Sequence, residues 1–203
     1  AEPTISNCIF RNNEAFIEGG GLYQFGGIGT VNWTSFEQNH GYDYGGGLVG
    51  NQATIDLDHT TFSENISGMG SALTVHTSAI QIENSILWGN NGSLIYSPNG
   101  SGITAIDVSY SDIEGGEEAF DDNFNIMLTI GDGLLDLDPD FCDPSIYDFA
   151  LADGSVCWSG SENGEVIGAF DVECGNELVM DEDIVPAGLY LAQNYPNPFN
   201  PTT

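Results

Sequence analysis

The side chains able to do chemistry in this chain are 31 carboxylates, three histidines and four cysteines, set against one strong base, Arg11. Glycoside hydrolysis would need two carboxylates facing each other across one cleft, roughly 5 to 9.5 Å apart. Asp43, Asp56 and Asp58 are the nearest candidates, and no stacked pairing with a neighbouring segment is expected for them. Proton abstraction from an acidic sugar would need basic side chains beside the substrate carboxylate; Arg11 alone does not suffice, and a net charge of −30 repels such a substrate. His40, His59 and His76 lie 19 and 17 residues apart and fall out of register, so a three-histidine metal site is not expected. The run Asp136-Leu-Asp138-Pro-Asp140 alternates carboxylates that could face one Ca²⁺, but it lacks the glycine and terminal Glu of an EF-hand loop. The favoured reading is that Asp138-Pro139 shapes a turn, so no cofactor is assigned. Trp33, Trp88 and Tyr110 could form part of a strip for sugar stacking, although aromatics packed under a loop are the commoner arrangement.

The elements that must position these groups are set by a repeat. Ile5, Val31, Leu57, Ile82 and Val108 follow one another at steps of 26, 26, 25 and 26 residues, and Phe10, Phe36, Phe62, Leu87 and Ile113 keep the same steps. Asn13, Asn39, Asn65 and Asn90 form a third column. A unit this short cannot close a core alone, so neighbouring units must stack and share one. Each unit holds short runs of Val, Ile, Thr and Phe broken by Gly and Asn, which is strand chemistry with turn punctuation. The Gly19–Leu22 and Gly45–Leu48 triplets, echoed at Gly70–Leu73, permit positive φ and close backbone approach at a corner. Asn at the end of each unit suits a left-handed bend and a hydrogen-bonded stack. The expected fold is all-β: a right-handed, single-stranded parallel β-helix with one rung per repeat, about five rungs roughly 4.8 Å apart.

The strings Asn7-Cys-Ile-Phe10, Gly19-Gly-Gly-Leu-Tyr23 and Asn84-Ser-Ile-Leu-Trp-Gly-Asn90 resemble repeats of the pectate-lyase-like superfamily of right-handed parallel β-helices. Within it they are most similar to secreted bacterial proteins related to polymorphic outer-membrane proteins. Tyr110–Gly116 resembles the segment after the last regular coils. Asp138–Pro144, Asp148–Leu151, Ser155–Cys157 and Ile167–Phe170 resemble the closing region of that family. The resemblance covers roughly residues 4 to 175. It implies the fold and leaves activity open, because the architecture hosts many functions. The expected division is coils over 1–116, a closing region over 117–175, a linker over 176–188, and residues 189–203.

That last stretch carries Asn194, Tyr195, Pro196, Asn197, Pro198, Phe199, Asn200 and Pro201, a string that closely resembles the opening of the C-terminal sorting domain of bacterial type IX secretion cargo. The resemblance implies export to the cell surface or medium through the type IX machinery, with the sorting domain incomplete at Thr203. Physically, its prolines hold the tail extended. No apolar run is long enough to span a membrane, and the chain opens almost directly on a repeat strand, so a leader has been removed or upstream residues are missing.

Only 16% of residues are charged while 40% are hydrophobic, so the acidity belongs to the shell of an ordinary folded core. Nucleic acid is excluded as a partner, since phosphate contacts need Lys and Arg, and anionic lipid is disfavoured for the same reason. Divalent cations are natural counterions. Cys8 aligns with Thr34, Thr60, Ser85 and Ser111 and is expected to be a small inward-facing residue. Cys142, Cys157 and Cys174 crowd the non-repeating region and suggest a disulfide there. Cys142–Cys157 is the favoured pairing, with Cys174 free or bonded elsewhere. Asn-x-Ser/Thr sequons at Asn32, Asn65, Asn91 and Asn99 are the places for glycan attachment, if any is made.

Two functions compete at this level. One is a secreted, non-enzymatic structural or surface protein, part of a fibre, coat or adhesin, whose partner is itself, head to tail. The other is a carbohydrate-binding or carbohydrate-active extracellular protein, with glycans as partners.

Overall fold

The computed structural model describes residues 2–98, 102–120, 126–161, 163–170 and 174. They form a parallel β-solenoid of about five turns. Stacking follows the repeat. Strands Thr4–Ser6, Ile28–Glu37, Thr54–Ser63, Ala79–Glu83 and Thr104–Ser109 pair in parallel along one face. On that face Ile5 lies opposite Val31, Val31 opposite Leu57, Leu57 opposite Ile82, and Ile82 opposite Val108. Ile9–Arg11, the second half of Ile28–Glu37 and of Thr54–Ser63, Ile86–Trp88 and Asp112–Ile113 continue the same sheet around a bend. A second sheet carries Glu14–Ala15, Leu22–Phe25, His40–Gly41, Leu48–Asn51, Ile66–His76 and Asn91–Tyr96.

The apolar columns point inward because side chains alternate along each strand and only one face meets the other sheet. Val31, Leu57, Ile82, Val108, Phe36, Phe62, Leu87 and Ile113 are all buried in one continuous core with Leu48, Leu73, Ile95 and Ile106. The phenyl rings of Phe10, Phe36 and Phe62 stack nearly parallel at centroid spacings of 4.9 and 4.5 Å. Strand Ile126–Ile130, with Val108 opposite Ile130, lays one more strand on the first face beyond the five repeats.

The bends are made by columns of left-handed residues, and most of these are not glycine. Asn7, Trp33, His59, Asn84 and Tyr110 form one column with φ between 46° and 53°. Asn12, Gln38, Glu64, Gly89 and Gly115 form the next. The expectation that the repeating Asn itself takes the left-handed bend is therefore corrected by one position. The bend falls on the preceding residue, and Asn13, Asn39, Asn65 and Asn90 hold it shut. Each amide nitrogen of Asn39, Asn65 and Asn90 donates back to the carbonyl of Phe10, Phe36 or Phe62, and each side-chain oxygen accepts the backbone N–H of the Asn one rung earlier. Glycine is needed elsewhere, at the triplets: a methyl on Gly46 would sit 2.6 Å from the Ser71 carbonyl oxygen and 2.7 Å from that of Ile66.

The position-8 column is a hydroxyl ladder. Thr34, Ser85 and Ser111 each donate to the carbonyl two residues back, and the backbone N–H groups of Thr60 and Ser85 donate to the hydroxyls of Ser85 and Ser111 on the next rung. Those four are fully buried, but Cys8, on the outermost rung, is exposed with its thiol on the Ser6 carbonyl. Its expected inward placement is corrected accordingly: Thr34 covers it on one side only.

Differences in coil length are taken up away from the first face. The face built on Ile28–Glu37 and Thr54–Ser63 keeps its register without a shift, whereas Tyr44 meets Met69, Ser93 meets Met69, and Ile95 meets Leu73 in the second sheet with bulges between. Among the described residues no helix is long and apolar enough to cross a membrane.

Candidate functional site

The closing region folds over the outward side of the solenoid. Val166, Ile167, Leu151 and Cys157 pack on the outward-facing Ile86, with Trp33, Trp88, Leu135 and Phe141 around them. The Gly168 N–H donates to the Asn84 carbonyl at 2.8 Å and the Ala169 N–H to Thr61 Oγ1 at 2.9 Å. Trp33 and Trp88 thus lie at the edge of a packed cluster and do not stand as an open strip. Trp33 does share a column with His59, Asn84 and Tyr110, and its indole stacks on His59 at 4.0 Å and 19°.

His59 is the most enclosed of the three histidines, 4% exposed. Its Nδ1 lies 2.8 Å from Asp58 Oδ1, which also accepts from Asn84 Nδ2 at 2.9 Å. Its Nε2 faces Glu165 Oε2 at 4.0 Å. The other two are elsewhere: His40 stacks on Tyr42 at 4.2 Å, and His76 Nε2 lies 3.7 Å from Glu18. The three histidines thus lie in three separate surroundings. The group around His59 was not foreseen, because Glu165 arrives from outside the repeats.

Asp58 also corrects the reading of the carboxylates. In register it stands opposite Glu83 on the next rung, so a cross-rung pair of carboxylates does exist on this face. Asp58 is occupied by His59 and Asn84, while Glu83 receives Gln81 at 3.5 Å.

Asp112 is a buried acid that nothing in the repeat pattern marks. It is fully enclosed; its carboxylate accepts the Leu137 N–H at 3.2 Å and the Cys157 thiol at 3.2 Å. Burial pushes its carboxyl up from 3.8 to about 6, partly offset by those two hydrogen bonds and reinforced by Asp136 and Asp138. The same burial, with the Asp112 charge beside it, raises the Cys157 thiol. Because the folded form holds its proton at a pH where the unfolded form has lost it, this group stabilises the fold below about pH 4 and loses that contribution as pH rises through 6. Asp112→Asn should therefore gain on the wild type by about 3 kcal/mol between pH 4 and 7. Denaturant titrations of both proteins across that range test it; a difference that stays flat would mean Asp112 is ionised throughout.

The disulfide joins Cys142 to Cys174, which corrects the favoured Cys142–Cys157 pairing. Cys157 sits in the 3-10 turn Val156–Ser159, turned inward onto Asp112, with its backbone N–H on Ser155 Oγ. Its thiol is committed to the core and stays free. Asp136 accepts the Gly115 N–H and Asp138 accepts the Asp140 N–H, as turn-shaping residues do. Among the described residues no three His, Cys, Asp or Glu side chains converge as metal ligands.

Arg11 ties down the buried Glu37, Nε to Oε2 at 2.5 Å, while Ser35 donates to the other oxygen at 2.6 Å; the guanidinium lies 4.7 Å over the Tyr147 ring. Of the sequons, Asn65 is fully buried in the Asn ladder and so closed to modification in the folded chain. Asn32 is half-buried, and Asn91 is exposed at the start of its strand. Asn99 and the Asn194–Pro201 string lie outside the described residues. On the second sheet Phe16, 84% exposed, stacks on Tyr42 at 5.5 Å, and the Tyr42 hydroxyl donates to Glu14 at 2.5 Å, which raises the Tyr42 phenol.

Compared with known proteins, the chain matches no family model, no curated protein and no solved structure.

Proposed function

We propose that the chain is a secreted, non-enzymatic structural or surface protein, a β-solenoid that forms part of an extracellular fibre, coat or adhesin. One observation carries this: every column that recurs along the sequence is used to hold one rung on the next. The Phe stack, the Asn ladder, the hydroxyl ladder and the left-handed bends account for the repeated residues. What the repeat specifies is length and rigidity. The parallel solenoid accords with membership of the pectate-lyase-like superfamily, and the Asn194–Pro201 string with export by type IX secretion. The Cys142–Cys174 disulfide suits an oxidising compartment.

The partner in this reading is a second copy, placed head to tail. An apolar hollow of about 420 Å³, lined by Pro3, Ile5, Leu22, Tyr23 and Phe25, is where such a copy would seat. The alternative, a carbohydrate-binding or carbohydrate-active protein, draws on the exposed Phe16–Tyr42 pair beside Glu14. Protein isolated untagged from its native medium separates the two. Concentration-dependent polymers by sedimentation and electron microscopy, with no new reducing ends from a polysaccharide panel, support the structural reading. A chain monomeric at high concentration, with turnover that vanishes on changing one acidic residue, would overturn it.

A further inference from the structure

Beside Trp33 two electron-pair donors, His59 Nε2 and Glu165 Oε2, face each other with no donor hydrogen between them, and a third, Asn84 Oδ1, is buried without a partner at the next position of the same column. His59 has its side chain 6% exposed, and its Nδ1 points at Asp58 Oδ1. A carboxylate oxygen there requires Nδ1 to carry the proton, so in the neutral ring Nε2 presents its lone pair. That Nε2 has no hydrogen-bond partner, and the group it faces, Glu165 Oε2 at 4.0 Å, is another acceptor. Asn84 has its amide nitrogen on the same Asp58 oxygen, which leaves its Oδ1 buried and unpartnered as well. The passing backbone offers no relief, since the N–H groups of Gly168 and Ala169 are spent on the Asn84 carbonyl and Thr61 Oγ1. A buried acceptor without a donor is costly, and a cation is what such a set lacks.

We propose that this cluster binds one divalent transition-metal ion of the Zn²⁺ or Cu²⁺ class, through His59 Nε2 and Glu165, with Asn84 Oδ1 as a third donor and water completing the shell. The mixed nitrogen and oxygen set suits those ions, whereas Ca²⁺ and Mg²⁺ ask for oxygen alone. Asp58 takes the supporting role, holding the imidazole by its other nitrogen as second carboxylates do in metal–histidine sites. An ion about 2.0–2.2 Å from each ligand spans the His59–Glu165 gap with a small inward rotation of Glu165. Glu165, its side chain 63% exposed, is free to make that rotation and opens the way in from solvent. The acidic shell concentrates cations around the entrance.

Trp33 makes the site readable, because its indole stacks 4.0 Å from the His59 ring and a Cu²⁺ on Nε2 would quench it. Cu²⁺ titrated into the full chain should remove the emission share of one of the three tryptophans at one equivalent. Zn²⁺ in large excess should restore that share, because it binds such sites less tightly than Cu²⁺, and the same excess of Ca²⁺ should not. Trp33→Phe should delete the quenched component. His59→Asn should abolish the saturable phase with the fold retained, since Asn7 and Asn84 already hold the same left-handed column. Glu165→Gln, a surface change, should weaken binding roughly tenfold or more. Quenching that persists in His59→Asn would assign it to scattered carboxylates and overturn the site. So would nitrogen NMR showing both ring nitrogens of His59 protonated at neutral pH and unresponsive to Zn²⁺, the mark of an imidazolium held between Asp58 and Glu165.

Discussion

Phe36→Ala should destabilise the fold by about 3–5 kcal/mol, read as a shift in the midpoint of a denaturant titration at unchanged slope. Phe36 is fully buried and sandwiched between Phe10 and Phe62, so its removal takes away two ring contacts as well as a large apolar side chain. The void cannot collapse, because the rungs on either side are held apart by parallel backbone pairing from Ile28 to Glu37. Phe10→Ala gives the internal comparison: it occupies the outermost rung, is only partly buried and has one stacking partner, and should cost about half as much. A shift below about 1 kcal/mol for Phe36→Ala would remove Phe36 from the core.

Asn65→Ala should cost nearly as much, about 3–5 kcal/mol, although it deletes no apolar contact. The amide of Asn65 accepts from the Asn39 backbone and side chain at 3.0 Å each, and donates to the Phe36 carbonyl at 2.8 Å and to Asn90 Oδ1 at 2.9 Å. Alanine would leave the Asn39 N–H and the Phe36 carbonyl buried and unpaired, each costing about 1–3 kcal/mol. Asn65→Asp should recover only part of the loss, since it still accepts from Asn39 but cannot donate to Phe36. Asn13→Ala, at the exposed end of the ladder, should change stability by less than about 1 kcal/mol. Equal effects at Asn13 and Asn65 would mean that the ladder is decoration and that the bend holds itself.

The two columns behind these expectations were visible in the sequence because a 25- or 26-residue step repeats with residue type. What lay outside that step was not. Ile130 follows Val108 by 22 residues, so the extra strand breaks the period that announces the others. The disulfide partner of Cys142 depends on which cysteine a 3-10 turn buries against Asp112, a tertiary choice with no periodic trace. The left-handed bend was misplaced by one residue since Gln38 and Glu64 carry none of the usual chemistry for it; their strain is met by the Asn that follows. Asp58 and His59 are neighbours in the repeat, but Glu165 comes from the closing region more than a hundred residues downstream.

Within the solenoid's two sheets the register shifts fall on the second, and this has an evolutionary corollary. A residue gained or lost near Tyr44, Met69 or Ser93 alters one corner, while the face from Ile28 to Glu37 reads through unchanged. Such chains can therefore accumulate loops on one flank without disturbing the stack. They can also lengthen by tandem duplication: copying one whole coil, such as the 26 residues from Val31 to the residue before Leu57, inserts one more rung of about 4.8 Å whose new neighbours are the residues already there. Growth of that kind is quantised, and it needs no invention at the join.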